Sequence, residues 1–315
     1  MKSPCSLQRN PYRISKASFK PILPEVISRP IYKLTAGQHH LTVGARTLIM
    51  GIMNMTPDSF SQDGLLKNKS DISHHALSVA QKLIREDVDM IDIGGESTRP
   101  GSHRITIKEE CARIIPTITT LAKKIKVPIS VDTYKPMVAQ RALDAGAVIV
   151  NNIMGANPDR RLLEMVRNYK AAIVLMHMRG NPQTMQKRIH YKNLIAEIKN
   201  SLRNSLEKCL EIGIKSDRII IDPGIGFGKT VEHNLEIINR LNEFKDLKAP
   251  LLIGVSRKSF IGKILNKDVS DRLLGTIASV VASILRGAHI VRLHDVKAAK
   301  EAITITDAIL NQNTP

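Results

Sequence analysis

The strongest constraint on this chain is a repeated alternation of two hydrophobic periods. Short apolar runs of strand length recur, each followed by a segment with the spacing of an amphipathic helix. The runs are TLIMGIMN (47–54), MIDIGG (90–95), PISVDT (128–133), VIVNNI (148–153), AAIVLMHM (171–178), RIIIDPG (218–224), LLIGVS (251–256) and HIVRLHD (289–295). Segments such as LIAEIKNSLRNSLEKCLEIG and DRLLGTIASVVASILRG separate them. Several of these end at a glycine, as at Gly146, Gly213 and Gly287, where a left-handed residue closes a helix at little steric cost. Strands that are apolar throughout are buried on both faces, which implies a parallel sheet covered by helices. Eight strand–helix units within 315 residues predict an α/β chain closed into a (β/α)8 barrel, the TIM-barrel architecture. A doubly wound open sheet is the alternative. The preceding YKLTAGQHHLTVG (32–44) reads as a short N-terminal hairpin covering the barrel bottom.

A barrel gathers its functional groups at the C-terminal ends of its strands. Here those ends carry Asn54, Asp92, Asp132, Asn151 with Asn152, His177, Asp222, Ser256-Arg257-Lys258, and Arg292 with His294. A single polar residue there is more often a loop start or a helix cap. A polar group at each of the eight ends points to a composite site. Two chemistries are present: Arg99, Lys258, Arg292 and His294 suit an anion, whereas Asp132, Asn151 and Asp222 offer acceptors to a flat, donor-rich heterocycle. SRKSFIGKIL places Ser256 to Lys258 just before a helix, whose N-terminal dipole favours negative charge. A phosphate-bearing ring substrate accounts for both halves. The loops NMTPDSF (54–60) and GGESTRPGS (94–102) are dense enough in polar groups to close over such a substrate.

IDPGIGFGKT (221–230) looks like a phosphate loop and fails its template. Pro223 stands where the first glycine belongs and has no N–H to offer. Gly224, Gly226 and Gly228 also miss the dinucleotide spacing. No His/Cys/carboxylate spacing suits zinc. Mg2+, which keeps waters and leans on substrate phosphates, needs only one protein oxygen.

Composition limits the remaining classes. A net charge of +18 favours anionic ligands, but aromatics make up 3% of the chain, too few for base-stacking platforms, so no nucleic-acid partner is expected. No apolar run approaches the length of a membrane span, so no membrane partner is expected. Cys5, Cys111 and Cys209 form no C-x-x-C pair, which fits ordinary thiols in a reducing cytoplasm. Met1 to Pro24 holds five basic residues and no acidic one and lacks the apolar core of a signal peptide. Residues 1–30 are therefore expected to be a flexible basic extension, and 31–315 a single domain.

In combination and in this order, GIMNMTPDSFS, DIGGESTRPGS, ISVDT, LMHMRGNPQTMQ, IDPGIGFGKT, GVSRKSFIG and RLHDV closely resemble the dihydropteroate synthases. The resemblance runs from about Thr47 to Leu310. It implies a transferase of folate biosynthesis on a (β/α)8 barrel, commonly a homodimer. Such an enzyme joins 4-aminobenzoate to 6-hydroxymethyl-7,8-dihydropterin diphosphate and releases pyrophosphate. Carried over, the resemblance gives the pterin ring to Asp132, Asn151, Asp222 and Lys258, with Met176 lining the pocket. Arg292 stacks on the ring and, with His294, holds the diphosphate, while Asn54 binds the attached Mg2+. Thr98, Arg99, Pro100 and Phe60 help form the aminobenzoate and pyrophosphate subsites, and Phe227 and Ser256 line the aminobenzoate pocket. Asp222, Lys258, Asp132 and Arg292 are the implied catalytic groups. The chain departs from the family pattern at Ser61-Gln62-Asp63-Gly64, at Asn152 where an Asp is usual, and in the basic extension. A pterin-binding methyltransferase working from methyltetrahydrofolate to a corrinoid partner is the rival; it binds no diphosphate and leaves Arg99, the SRKS stretch (256–259) and the Arg292/His294 pair idle.

Overall fold

A computed structural model describes residues 29–56, 69–97, 102–155, 157–180, 183–186 and 189–312. Eight parallel strands form the barrel: β3 (Leu48–Asn54), β4 (Met90–Gly94), β5 (Ile129–Asp132), β6 (Ile149–Asn152), β7 (Ala172–Met176), β8 (Ile219–Asp222), β9 (Leu252–Ile253) and β10 (Ile290–Leu293). Their order around the sheet is β8-β7-β6-β5-β4-β3-β10-β9. A parallel bridge between Ile221 and Leu251 joins the two ends, and the Ile221 N–H donates to Pro250 O at 3.0 Å. The doubly wound alternative therefore falls, because its sheet would stay open.

Alternation along each strand divides the core into two shells. Ile49, Ile91, Val131, Val150 and Ile173 face outward and pack with helical Ile114, Ile118, Leu162 and Leu202. Met50, Met90, Ile149, Val174, Ile220 and Ile290 face inward. Outside β5, whose inner face carries Ser130 and Asp132, both faces are apolar over most of each strand, so the strands read as hydrophobic runs in the sequence. The helices Ile107–Ala122, Pro136–Asp144, Arg160–Asn168, Leu194–Ile212 and Val231–Asn239 follow strands β4 to β8 in turn. Leu194–Ile212 opens on an Asn193 side-chain cap and stops at Gly213, whose φ is 95°.

The hairpin, β1 (Tyr32–Ala36) and β2 (His39–Val43), pairs antiparallel. Its Leu34, Ala36 and Val43 join the inner shell, so it plugs the N-terminal mouth as expected. Thr35 Oγ1 donates to Asp217 Oδ2 at 2.9 Å and fastens the plug beneath β8.

Arg29 and Pro30, which composition assigned to the extension, belong to the barrel floor; residues 1–28 lie outside the described residues. The Arg29 guanidinium donates to Asp307 Oδ1 at 2.7 Å, to Thr47 Oγ1 at 2.6 Å and to Ala288 O at 3.2 Å. Its side chain is 4% exposed. Removing one partner of a buried ion pair is expensive, but Asp307 also accepts from the Thr47 N–H at 2.7 Å and its hydroxyl at 2.8 Å. Arg29→Ala is therefore expected to destabilise the fold by about 2 kcal/mol, read as a lowered denaturant midpoint. A midpoint equal to wild type would show that the pair contributes nothing.

Candidate active site

Five strands place charged or amide side chains together at the C-terminal mouth. Arg292 on β10 donates from Nε to Asp92 Oδ2 on β4 at 2.6 Å and from Nη2 to Asp132 Oδ2 on β5 at 2.7 Å. Asn151 on β6 donates from Nδ2 to the same Asp92 Oδ2 at 2.9 Å. Asp222 on β8 accepts from the Gly224 N–H at 2.7 Å. Parallel register sets the spacing, with Asp132 opposite Asn151 and Met176 opposite Asp222. Burial is the main influence on these carboxyls, and it pushes Asp132 up to about 7, with Arg292 opposing and Asp92 adding to the shift. Burial likewise raises Asp222 to about 6, against the Gly224 N–H and the charges of Lys258, Lys229 and Arg292. Asp132 Oδ1 is buried and has no hydrogen-bond partner among the described residues, so it remains an acceptor for a donor-bearing ligand.

A second cluster adjoins Arg292. His294 Nδ1 lies 3.0 Å from Ser256 Oγ, and its ring Nε2 lies 3.4 Å from the Asn54 amide. Burial, with Arg292 and Arg257 nearby, lowers His294 to about 4, so the ring is neutral at pH 7. Arg257 takes no part in this cluster: its guanidinium is paired with Asp295 at 2.5 and 2.9 Å. That corrects the grouping of Ser256, Arg257 and Lys258 as a single anion site; Ser256 and Lys258 keep their places beside the pocket and Arg257 is structural. The helix that follows, Ser259–Leu265, is short and starts from Lys258.

The apolar wall consists of Ile153, Met176, Met178, Met185 and Phe227, with Tyr134 and Met154 packed against it. Lys258 Nζ sits 4.1 Å from the centroid of the Phe227 ring, a cation–π contact that links the acceptor group to this wall.

In the Gly-rich loop, Gly224 (φ 71°) and Gly226 (φ 82°) both adopt the left-handed region. A Cβ at 224 would lie 1.9 Å from His177 O, and one at 226 would press on Lys258 Cδ at 3.2 Å. The glycines therefore serve close packing rather than phosphate cradling. Lys229 turns inward, 3% exposed, and donates to Phe227 O and to His177 Nδ1, both at 3.0 Å. Burial lowers Lys229 to about 7 and, with help from Lys229, lowers His177 to about 2. Lys229→Ala is expected to cost about 1–3 kcal/mol of stability through unpaired acceptors while turnover falls less than tenfold, whereas Lys258→Ala should cut turnover about a hundredfold. Steady-state kinetics of both variants test this ranking; the reverse order would restore the phosphate-loop reading.

Asn54, Asp132, Asn151, Asp222, Arg292 and His294 thus meet at one mouth, flanked by Met176, Phe227, Ser256 and Lys258. Phe60, Thr98, Arg99, Pro100 and the 61–64 departure lie outside the described residues. At the other departure, Asn152 Oδ1 accepts from the Met154 N–H at 2.9 Å, so its side chain serves the following turn. Sequence reasoning noted Asp92 as a strand-end group and missed its part in the site. The signal was present in DIGG, where a carboxylate interrupts an apolar strand and must be paired.

A closed parallel barrel with buried acceptors and cations at this mouth defines a class, the pterin-binding barrel enzymes. The chain belongs to that family: the model of the pterin binding enzymes matches residues 50–294. Among its relatives is the dihydropteroate synthase of Synechocystis, 44% identical over 277 residues that cover 88% of this chain and 94% of the relative. Among solved structures, the dihydropteroate synthase of Xanthomonas albilineans with 4-aminobenzoic acid superposes with a TM-score of 0.82 at 34% identity, covering 91% of this chain and 100% of that one. The Clostridium difficile dihydropteroate synthase in the presence of pteroic acid gives 0.77 at 41% identity, covering 87% and 98%. Within the family, the chain stands with the dihydropteroate synthases.

Proposed function

We infer that the chain condenses 6-hydroxymethyl-7,8-dihydropterin diphosphate with 4-aminobenzoate to give 7,8-dihydropteroate and pyrophosphate, the dihydropteroate synthase step of folate biosynthesis. The observation that carries this reading is the acceptor group Asp132, Asn151 and Asp222 set against Arg292 and Lys258 in one mouth. Asp132, Asn151 and Asp222 receive the ring N–H groups, Lys258 adds a donor, and Met176 lines the pocket. Arg292 offers its face to the ring and its charge to the diphosphate, beside which the neutral His294 ring adds an N–H donor. Phe227 and Ser256 line the aminobenzoate side. The methyltransferase reading is not favoured, since a methyl donor without a diphosphate gives these cations nothing to bind.

The chemistry follows from charge. The C–O bond at the pterin methylene breaks with its electron pair going to pyrophosphate, and the aromatic amine forms the new C–N bond and releases a proton. Arg292, Lys258 and His294 favour the departing anion, and ionised Asp222 favours positive charge developing on the ring. The amine is neutral at pH 7 and needs positioning rather than an enzyme nucleophile. Among the described residues no cluster of three or more His, Cys, Asp or Glu could hold a metal. A Mg2+ carried on the diphosphate needs few protein ligands, and the Asn54 amide beside His294 suits that part. When bound, the ion would neutralise phosphate charge.

The test is pyrophosphate release by the purified protein when both substrates are supplied, with and without a chelator. Silence with both substrates present and Mg2+ in excess would overturn the reading. We place the protein in the cytoplasm, because the buried Cys111 and Cys209 are free thiols; no helix among the described residues is long and apolar enough to cross a membrane. We also propose a homodimer through the packed helices Leu273–Leu285 and Val296–Asn311, where Leu285, Ile305 and Ile309 are 43, 62 and 60% exposed. Light scattering should give twice the chain mass for wild type and the monomer mass for Ile305→Glu/Ile309→Glu. A wild-type monomer would sink the proposal.

A further inference from the structure

Asp92 is 0% exposed, against 9% for Asp132 and 6% for Asp222. A carboxylate wholly removed from water costs several kcal/mol unless its partners repay it, and this one is bonded to two residues of the pocket. A single oxygen, Oδ2, accepts from Arg292 Nε at 2.6 Å and from Asn151 Nδ2 at 2.9 Å, while Oδ1 has no hydrogen-bond partner among the described residues. Two consequences follow. A carboxylate beside a guanidinium accepts and does not donate, so the Asn151 atom turned toward it is the NH2 group and the carbonyl oxygen is the atom left for a ligand. The guanidinium is planar, so anchoring Nε on Asp92 and Nη2 on Asp132 fixes the plane of Arg292.

We propose that Asp92 is the positioning residue of the pterin pocket, using one buried oxygen to set both the plane of Arg292 and the amide orientation of Asn151, which makes Asn151 an obligate acceptor. The proposal rests on the pterin reading of the site. Asp92 acts through its two partners, which accounts for a buried charge that has little direct exposure to substrate. Without it, Asn151 is free to rotate its amide and present NH2 to a ring edge that needs an oxygen, and Arg292 is held by Asp132 alone.

Two variants separate this role from packing. Asp92→Leu removes the acceptor at similar volume, and Asp92→Asn keeps an oxygen able to sit where Oδ2 sits. For Asp92→Leu we expect the KM for the pterin diphosphate to rise about thirtyfold, as loss of a hydrogen bond to a charged group implies. At saturating pterin the KM for 4-aminobenzoate should stay within about threefold, since Phe227 is placed against Lys258 and Ser256 against His294 and neither is a hydrogen-bond partner of Asp92. Asp92→Asn should recover most of the pterin KM. It should also move the acid limb of kcat/KM to lower pH: of the groups facing Asp132, Asp92 and Glu110 raise it while Arg292 and Lys258 lower it, and this variant removes the Asp92 charge. Equal kinetics for the Leu and Asn variants, a parallel rise in both KM values, or an unmoved acid limb would overturn the proposal. If Asp92→Leu does not fold, the same comparison of the two KM values between Asp92→Ala and Asp92→Asn decides. Wild-type protein that releases no pyrophosphate would instead overturn the pterin reading itself.

Discussion

Asp222→Ala is expected to lower kcat/KM about a thousandfold, the upper range for losing one group aimed at transition-state charge, without a matching loss of stability. Burial holds the Asp222 carboxyl near 6 in the folded protein, whereas an unfolded chain releases that proton near pH 4. The raised value means that its stabilising contribution is present at pH below about 4 and is lost as pH rises through about 6. Above that range the ionised carboxylate burdens the ligand-free fold by about 2–3 kcal/mol, and alanine relieves this, offset in part by the Gly224 N–H losing its acceptor. At pH 8 the variant should therefore melt no lower than wild type while its turnover collapses. For wild type, kcat/KM should rise with pH through about 6 to 7, as Asp222 and Asp132 ionise and become acceptors for ring N–H groups, because this ratio reports the free enzyme. In Asp222→Asn the part of that rise near 6 should disappear and the part near 7 should remain. A flat wild-type profile between pH 5.5 and 7.5 would remove these carboxyls from the pterin site.

The barrel was legible because seven of the eight barrel strands are apolar on both faces for most of their length, and strand-length runs alternate with helical segments along the chain; β5 is the exception, with Ser130 and Asp132 on its inner face. The composite site was legible for a related reason: a polar residue such as Asp132 or Asn151 ending an apolar strand has little to do in a core. Partnerships were not legible. Arg257 and Lys258 are neighbours in sequence, yet one is tied to Asp295 and the other lies over Phe227. Arg257 adopts φ 55°, a local turn that the SRKS string does not advertise. Lys229 was likewise ambiguous. A lysine after a Gly-rich loop suits phosphate or burial equally well, and only the His177 ring, 52 residues away in sequence, decides between them. The extension boundary was misplaced for the same reason: Arg29 looks like one more basic residue until Asp307, 278 residues on, is brought beside it.

Arg292→Ala should have the broadest effect, reducing kcat/KM at least about a thousandfold and destabilising the protein by about 3–5 kcal/mol at pH 8. Its guanidinium is the shared partner of two buried carboxyls, Asp92 and Asp132, and its removal leaves them side by side in the barrel mouth. The stability loss carries a pH signature whose sign is fixed. In wild type, Arg292 opposes the burial that raises Asp132, so the variant holds Asp132 higher still above its unfolded value. A raised carboxyl loses its stabilising contribution as pH climbs through the folded value, so the gap between wild type and variant should be wider at pH 8 than at pH 5.5. Arg292→Lys separates the two roles. An ammonium restores a positive charge near the pair and should recover part of the stability, but it has no planar fork to reach both carboxylates while offering a face to the ring. Activity should therefore stay low in Arg292→Lys even where its melting temperature returns toward wild type. Full recovery of kcat/KM by lysine would mean that Arg292 acts as a point charge on the diphosphate, and that its stacking plane, and with it the anchoring by Asp92, contributes nothing to turnover.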